Sequence, residues 1–205
     1  AGDTLAVGRG IPAPAEADDA AEPEWDAAAS STGFGAWLAR CLEAAPAPAR
    51  LILDLTGLTA LDGGAGLLAA LGATASGDLT AGLAGLATVR EVSLEGVRRR
   101  LSPPGGSATE VIGVIPAEQA DLRLLGLQGA VSRRGFAVRL DPADLLAAES
   151  AMAGWLAALR VTDQPGTGAA GGAAAAVQAL GGRVLRGAGL CAELAGLADT
   201  VRLAD

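Results

Sequence analysis

Three short segments hold the residues best suited to chemistry. The first is Asp62-Gly63-Gly64-Ala65-Gly66, lying between an apolar run and a helical run. A carboxylate there can sit near a metal ion such as Mg2+ or accept a hydroxyl proton. Gly63, Gly64 and Gly66 let the backbone take positive φ and turn N–H groups toward an anion at a helix start. The same residues also suit a tight turn in which Asp62 only caps the helix. No Gly-Lys-Ser/Thr follows, so this is not a Walker A loop. The second segment runs from Pro165 to Gly172. Thr167, Gly168, Gly171 and Gly172 could contact phosphate, or could let an Ala/Gly helix pack closely on a strand. The third is Ser30-Ser31-Thr32-Gly33, where Ser31 offers a hydroxyl to a ligand or to a helix cap.

Composition narrows what these segments can be asked to do. The chain has 205 residues and no histidine, which excludes histidine general bases, Ser-His-Asp triads and most zinc sites. A net charge of −8 with no large basic face argues against nucleic acid and anionic membranes as partners. The densest basic run, Arg98-Arg99-Arg100, reads as a solvated turn or helix end. Hydrophobic residues make up 51% but aromatics only 2%, so the core must be built from Leu, Val, Ile and Ala. The two cysteines, Cys41 and Cys191, read as buried thiols in a reducing, cytoplasmic compartment. The start lacks an apolar leader, and the longest uncharged stretch, Gln164 to Gly182, is too weakly apolar to span a bilayer. Both chain ends read as cuts from something longer, and the oligomeric state is left open.

The elements that must position the three segments alternate between strand and helix. Residues 1–28 read as an N-terminal strand, Thr4 to Val7, followed by an acidic loop rich in Pro and Ala that holds Asp18, Asp19, Glu22 and Glu24. Residues 29–205 read as one α/β region. A helix from Ser31 carries Phe34, Trp37, Leu38, Cys41 and Leu42 at helical spacing, stopped by Pro46 and Pro48. Arg50 to Leu55 is a buried strand, and Leu67 to Leu71 a helix. A short helical segment is expected over Leu79 to Leu86. Strands are expected over Val89 to Leu94, Glu110 to Pro116, Phe136 to Leu140 and Arg183 to Leu185. Pro103 to Gly106 breaks the chain. Asp141 and Pro142 open a helix whose buried face would carry Leu145, Leu146, Met152, Leu156 and Leu159. An Ala-rich helix ends at Gly181-Gly182, and Leu190 to Leu197 is a further helix. This order predicts an α/β fold with a largely parallel sheet and flanking helices.

The three segments together resemble the type I glycerate kinase family. Ala29-Ser30-Ser31-Thr32-Gly33-Phe34-Gly35 is similar to that family's Ala-Thr/Ser-Ser-Tyr-Gly-Val-Gly. Leu61-Asp62-Gly63-Gly64-Ala65-Gly66-Leu67-Leu68-Ala69-Ala70-Leu71-Gly72-Ala73 resembles its Asn-Asp-Gly-Gly-Ala-Gly-Leu-Leu-Gln-Ala-Leu-Gly-Ala. Pro165 to Gly172 matches its Pro-Gly-Ala-Gly-Ala-Ala-Gly-Gly at all but one position, and Leu124-Leu125-Gly126 with Gly129-Ala130 resembles the tail of its Asp-Asn-Pro-Leu-Leu-Gly-Gly-Ala. The resemblance implies phosphoryl transfer from ATP with Mg2+ to a hydroxyl of D-glycerate or a similar small hydroxy acid. It also implies a cleft between two domains and a site drawn from Asp62, Asp121, Ser31, Thr59, Thr167 and the loop glycines. The departures are specific. Leu58 and Leu61 stand at polar positions of the family. Glu118 to Arg123 replaces the Asp-Val-Asp-Asn-Pro stretch, and Val131-Ser132-Arg133-Arg134-Gly135 stands near where Phe-Gly-Pro-Gln-Lys-Gly is found. These leave two alternatives beside the kinase: a non-catalytic homologue that binds a ligand or regulates, and a structural domain whose glycine loops only pack.

Overall fold

A computed structural model describes residues 4–8, 25–44, 48–102 and 107–196. The expected acidic loop, the Pro103 to Gly106 break, Pro46 and the last residues lie outside them. Four strands form one parallel sheet: β1 (Thr4–Gly8), β2 (Arg50–Asp54), β5 (Glu110–Ile115) and β6 (Arg183–Arg186), in the order β1-β2-β5-β6. Leu51, Ile52 and Leu53 of β2 are all buried, as are Val111, Ile112 and Gly113 of β5, because both faces are covered. On one face Ile52 and Ile112 meet Leu190 of α8 (Gly187–Leu194). Leu51, Leu53 and Val111 belong to the main core with α1 (Thr32–Ala44), α2 (Ala65–Ala70) and α7 (Ala173–Ala179). The sheet and its flanking helices are the α/β architecture expected.

Small residues set the spacing between layers. Ala173 to Ala176 of α7 are buried to 1% exposure or less. A methyl group added to Gly35 of α1 would come within 2.7 Å of the Leu67 backbone, so α1 and α2 lie nearly backbone to backbone. The single fully buried Trp155, on α6 (Pro142–Leu159), fills the volume that this small-residue packing leaves. Asp141 caps α6 by accepting the Ala143 N–H at 2.8 Å, with Pro142 in the first turn, as its sequence indicates.

Several expectations are corrected. Phe136 to Leu140 is not a strand: α5 covers Ala130–Ala137, and the chain then turns through Arg139 at φ 55°. The Leu140 N–H bonds the Gly135 carbonyl at 2.9 Å, a Schellman closure that uses Arg where Gly is usual. The alternation of Phe136, Val138 and Leu140 mimicked strand period over too short a run to decide. The strand expected over Val89 to Leu94 shrinks to β4 (Val92–Ser93), paired antiparallel with β3 (Thr74–Ala75). The chain then enters α4 (Glu95–Leu101), whose last turn carries the arginine run. The segment over Leu79 to Leu86 is helical only as α3 (Gly82–Leu86). Leu146 is 72% exposed, and Ala148, Ala151 and Trp155 take the buried face instead. The last described helix begins at Gly187, earlier than expected. Cys191 is exposed and Cys41 only partly buried. Among the described residues no helix is long and apolar enough to cross a membrane.

At the amino ends of the sheet strands, Glu110 joins three elements. It accepts from Arg50 of β2 at 2.7 Å and from Arg183 of β6 at 2.6 Å, and Arg183 also pairs with Glu193 of α8. Hydrogen bonds from Arg50 and Arg183 hold the Glu110 carboxyl below its ordinary value of 4.5. A depressed carboxyl stabilises the fold above its unfolded pKa and loses that contribution as pH falls through the folded value. Glu110→Gln should therefore lower the urea midpoint slightly at pH 7, and the gap from the parent should close as pH falls below about 4.5. A gap that stays constant between pH 7 and pH 3 would contradict the ion-pair account.

Candidate functional site

Asp62 is fully buried, and its carboxylate is the centre of a hydrogen-bond cluster. Oδ2 accepts the Ser31 N–H at 2.7 Å, the Ser31 hydroxyl at 2.8 Å, the Gly66 N–H at 3.2 Å and the Ser30 hydroxyl at 3.4 Å. Oδ1 accepts the Gly64 N–H at 2.9 Å. The Ser31 hydroxyl in turn accepts the Leu67 N–H at 2.8 Å. The first N–H groups of α2 have no partner within their own helix. Asp62 supplies one through its backbone carbonyl to Ala65, one through its side chain to Gly66, and Ser31 supplies the next. Ser31 thus caps α2, not the helix it begins.

Several glycines of the two loops also spend their N–H groups inside the protein. Gly63 donates to the Gly171 carbonyl at 3.0 Å, Gly168 to Leu122 at 2.9 Å and Gly172 to Gly168 at 3.2 Å. The two loops lie against one another. A methyl group on Gly171 would strike the Ala60 carbonyl, and one on Gly63 would strike the Trp155 ring, whose indole N–H bonds the Gly63 carbonyl at 3.0 Å. Gly63 (φ 61°) and Gly171 (φ 64°) are also in the left-handed region, so both steric and backbone demands require glycine there. Thr167 is buried, accepting the Gln164 N–H and bonding Gln178. Asp121 is exposed in a turn and does not join Asp62.

The open space lies beside this cluster. A cavity of about 650 Å³ sits at the carboxyl ends of β2 and β5. It is lined by Thr56, Leu58, Thr59 and Leu61 from the segment after β2, by Glu118, Gln119 and Leu122 from the segment after β5, by Gly168 and Gly171, and by Arg133 and Arg134 of α5. Crevices at strand ends are where open parallel sheets take ligands. Arg134 donates to the Thr59 carbonyl, which fixes its guanidinium at the cavity edge. Burial pulls its pKa below the ordinary value, and an arginine so placed still carries its charge at neutral pH. Of the expected site residues, Thr59, Gly168 and Gly171 line this cavity, whereas Asp62, Gly63, Gly64, Gly66, Gly172, Thr167 and Asp121 do not. Ser31 lines a smaller adjoining one of about 280 Å³ with Thr59 and Leu58. Sequence reasoning did not assign a site role to Arg133, Arg134 or Gln119. The available signal was an arginine pair beside a glycine, Arg133-Arg134-Gly135, in an acidic chain.

A parallel sheet covered on both faces, with its crevice at the strand ends and a cation pair at the rim, defines the class: an open-sheet α/β protein. A family model described as the glycerate kinase family matches residues 13–205. Proteins of Mycobacterium bovis and Mycobacterium tuberculosis, both described as uncharacterized, are 33% identical over 184 residues. Those matches cover 89% of this chain but only 42% of the relatives' length. A crystal structure described as glycerate kinase 2 from Salmonella typhimurium LT2 superposes with a TM-score of 0.66 at 25% identity, over 82% of this chain and 46% of that one. The chain belongs to the glycerate kinase family.

A resident Mg2+ at Asp62 does not fit the donor set: both oxygens already accept N–H or O–H groups, and among the described residues no cluster of three metal-ligating side chains occurs. Asp62→Asn keeps the shape but points an NH2 group at fixed donors. It should cost roughly 2–4 kcal/mol of stability, read as a lowered urea midpoint. A midpoint unchanged within error would mean that the cluster does not hold the fold.

Proposed function

We propose that this chain forms the acceptor-binding part of a glycerate kinase-like phosphotransferase, one that moves the γ-phosphoryl group of ATP to a hydroxyl of D-glycerate or a similar small hydroxy acid. The observation that carries this is the arginine pair at the rim of the strand-end cavity, in a chain whose net charge is −8. A planar guanidinium matches a carboxylate in two parallel hydrogen bonds, and one already held by the Thr59 carbonyl loses little freedom on binding. Gln119 supports it: its Oε1 accepts the Ala170 N–H at 2.8 Å, which turns the amide NH2 into an available donor. ATP with Mg2+ is the phosphoryl donor expected of the family; the chain's own derived contribution is to bind and orient the acid. On this reading the partners are a nucleotide and a small acid, the compartment is cytoplasmic, and further segments of a longer polypeptide complete the cleft.

A second reading is a homologue that binds the acid without phosphorylating it. What favours it is that Asp62, the one buried carboxylate among the described residues, is wholly committed to structure. ADP release from MgATP, with and without D-glycerate, separates the two. Acid-dependent ADP is expected from the full-length protein, and Arg134→Ala should cut kcat/KM by about 100-fold, mostly through KM. Acid binding without ADP release would favour the second reading. An Arg134→Ala enzyme as efficient as its parent would remove the arginine from the site.

A further inference from the structure

The arginines at the cavity stand on a helix that cannot hold its own place. α5 has eight residues, and a helix this short is marginal in water, so its position comes from what it is tied to. Its first two N–H groups bond back to the preceding loop: Ala130 donates to the Arg123 carbonyl at 2.8 Å and Val131 to the Leu124 carbonyl at 3.2 Å. That loop, residues 123–129, is held in turn by two carboxylates. Asp163 accepts the Leu124 N–H at 2.9 Å with Oδ1 and the Leu125 N–H at 3.1 Å with Oδ2. Glu149 of α6 accepts the Gly126 N–H at 3.0 Å with Oε2 and the Ser132 hydroxyl at 2.7 Å with Oε1. Ser132 is buried and directly precedes Arg133 and Arg134. Neither Asp163 nor Glu149 lines the cavity, so each can reach a bound acid only through the loop and α5.

We propose that Asp163 and Glu149 are positioning residues for the acid: by fixing the loop that carries α5 they set where the Arg134 guanidinium meets the ligand's carboxylate. This rests on the acid-binding reading of the cavity. The two carboxylates differ in what they require. Both partners of Asp163 are N–H groups, so Asp163→Asn keeps one bond and turns an NH2 group toward the other donor. One partner of Glu149 is a hydroxyl, which can donate or accept. Glu149→Gln therefore keeps both contacts, its oxygen accepting the Gly126 N–H and its NH2 donating to the Ser132 hydroxyl.

The test is calorimetric binding of D-glycerate to the full-length protein and its variants, with circular dichroism to check that each folds. Asp163→Asn and Glu149→Ala should each weaken binding roughly tenfold, whereas Glu149→Gln should stay within about twofold of the parent. In an Arg134→Ala background, Glu149→Ala should cost little more, because its effect passes through that arginine. Parent-like affinity in Asp163→Asn and Glu149→Ala, a Glu149→Gln variant as weak as Glu149→Ala, or full additivity with Arg134→Ala would each overturn the inference, while binding by the parent kept the acid-site reading. A parent that binds no D-glycerate would overturn both.

Discussion

The Asp62 carboxylate is the constraint from which the site end of the molecule is built. It joins the start of α1 to the start of α2, across 31 residues of chain. A buried carboxylate is tolerable only when its lone pairs are filled, and here they are filled by the N–H groups that a helix start leaves without partners. The demand of the charge and the demand of the helix end cancel one another. Removing either would leave the other buried and unpaired, so the arrangement is costly to change piecemeal.

That joint fixes the glycine loops next to it. With α2 held at its first turn, Gly63 meets Trp155 and Gly171 closely enough that no side chain fits. The glycines of both motifs thus act mainly as spacers that let two loops and an indole ring share one volume. The N–H groups of Gly63, Gly64, Gly66, Gly168 and Gly172 are consumed in doing so. What remains for a ligand is the crevice, which Gly171 also lines and to which α5 brings the side-chain donors Arg133 and Arg134.

Much of this was legible in the chain itself. The apolar runs of β2 and β5, the Asp141-Pro142 start of α6 and the glycine motifs indicated a parallel α/β fold, because burial on both faces and helix capping write themselves into a few adjacent residues. Phe136 to Leu140 misled, since a five-residue alternation carries less information than the Schellman closure that ends α5 there. Leu146 misled as well: helical spacing picks out an apolar stripe, but Trp155 set which stripe of α6 faces inward.

By itself, then, the sequence determined the class of fold, the position of its turns and the family, all of which depend on neighbours in the chain. Only the tertiary structure decided which polar groups stay free for chemistry. Asp62 and the glycines that follow it look available as a motif and are spent once Ser31, Gly171 and Trp155 reach them from distant parts of the chain. Arg134 looks like one more surface charge and becomes the fixed cation of the crevice once the Thr59 carbonyl meets it, 75 residues away in sequence. Hydrogen-bond saturation is a property of contacts in space, and no local pattern records it.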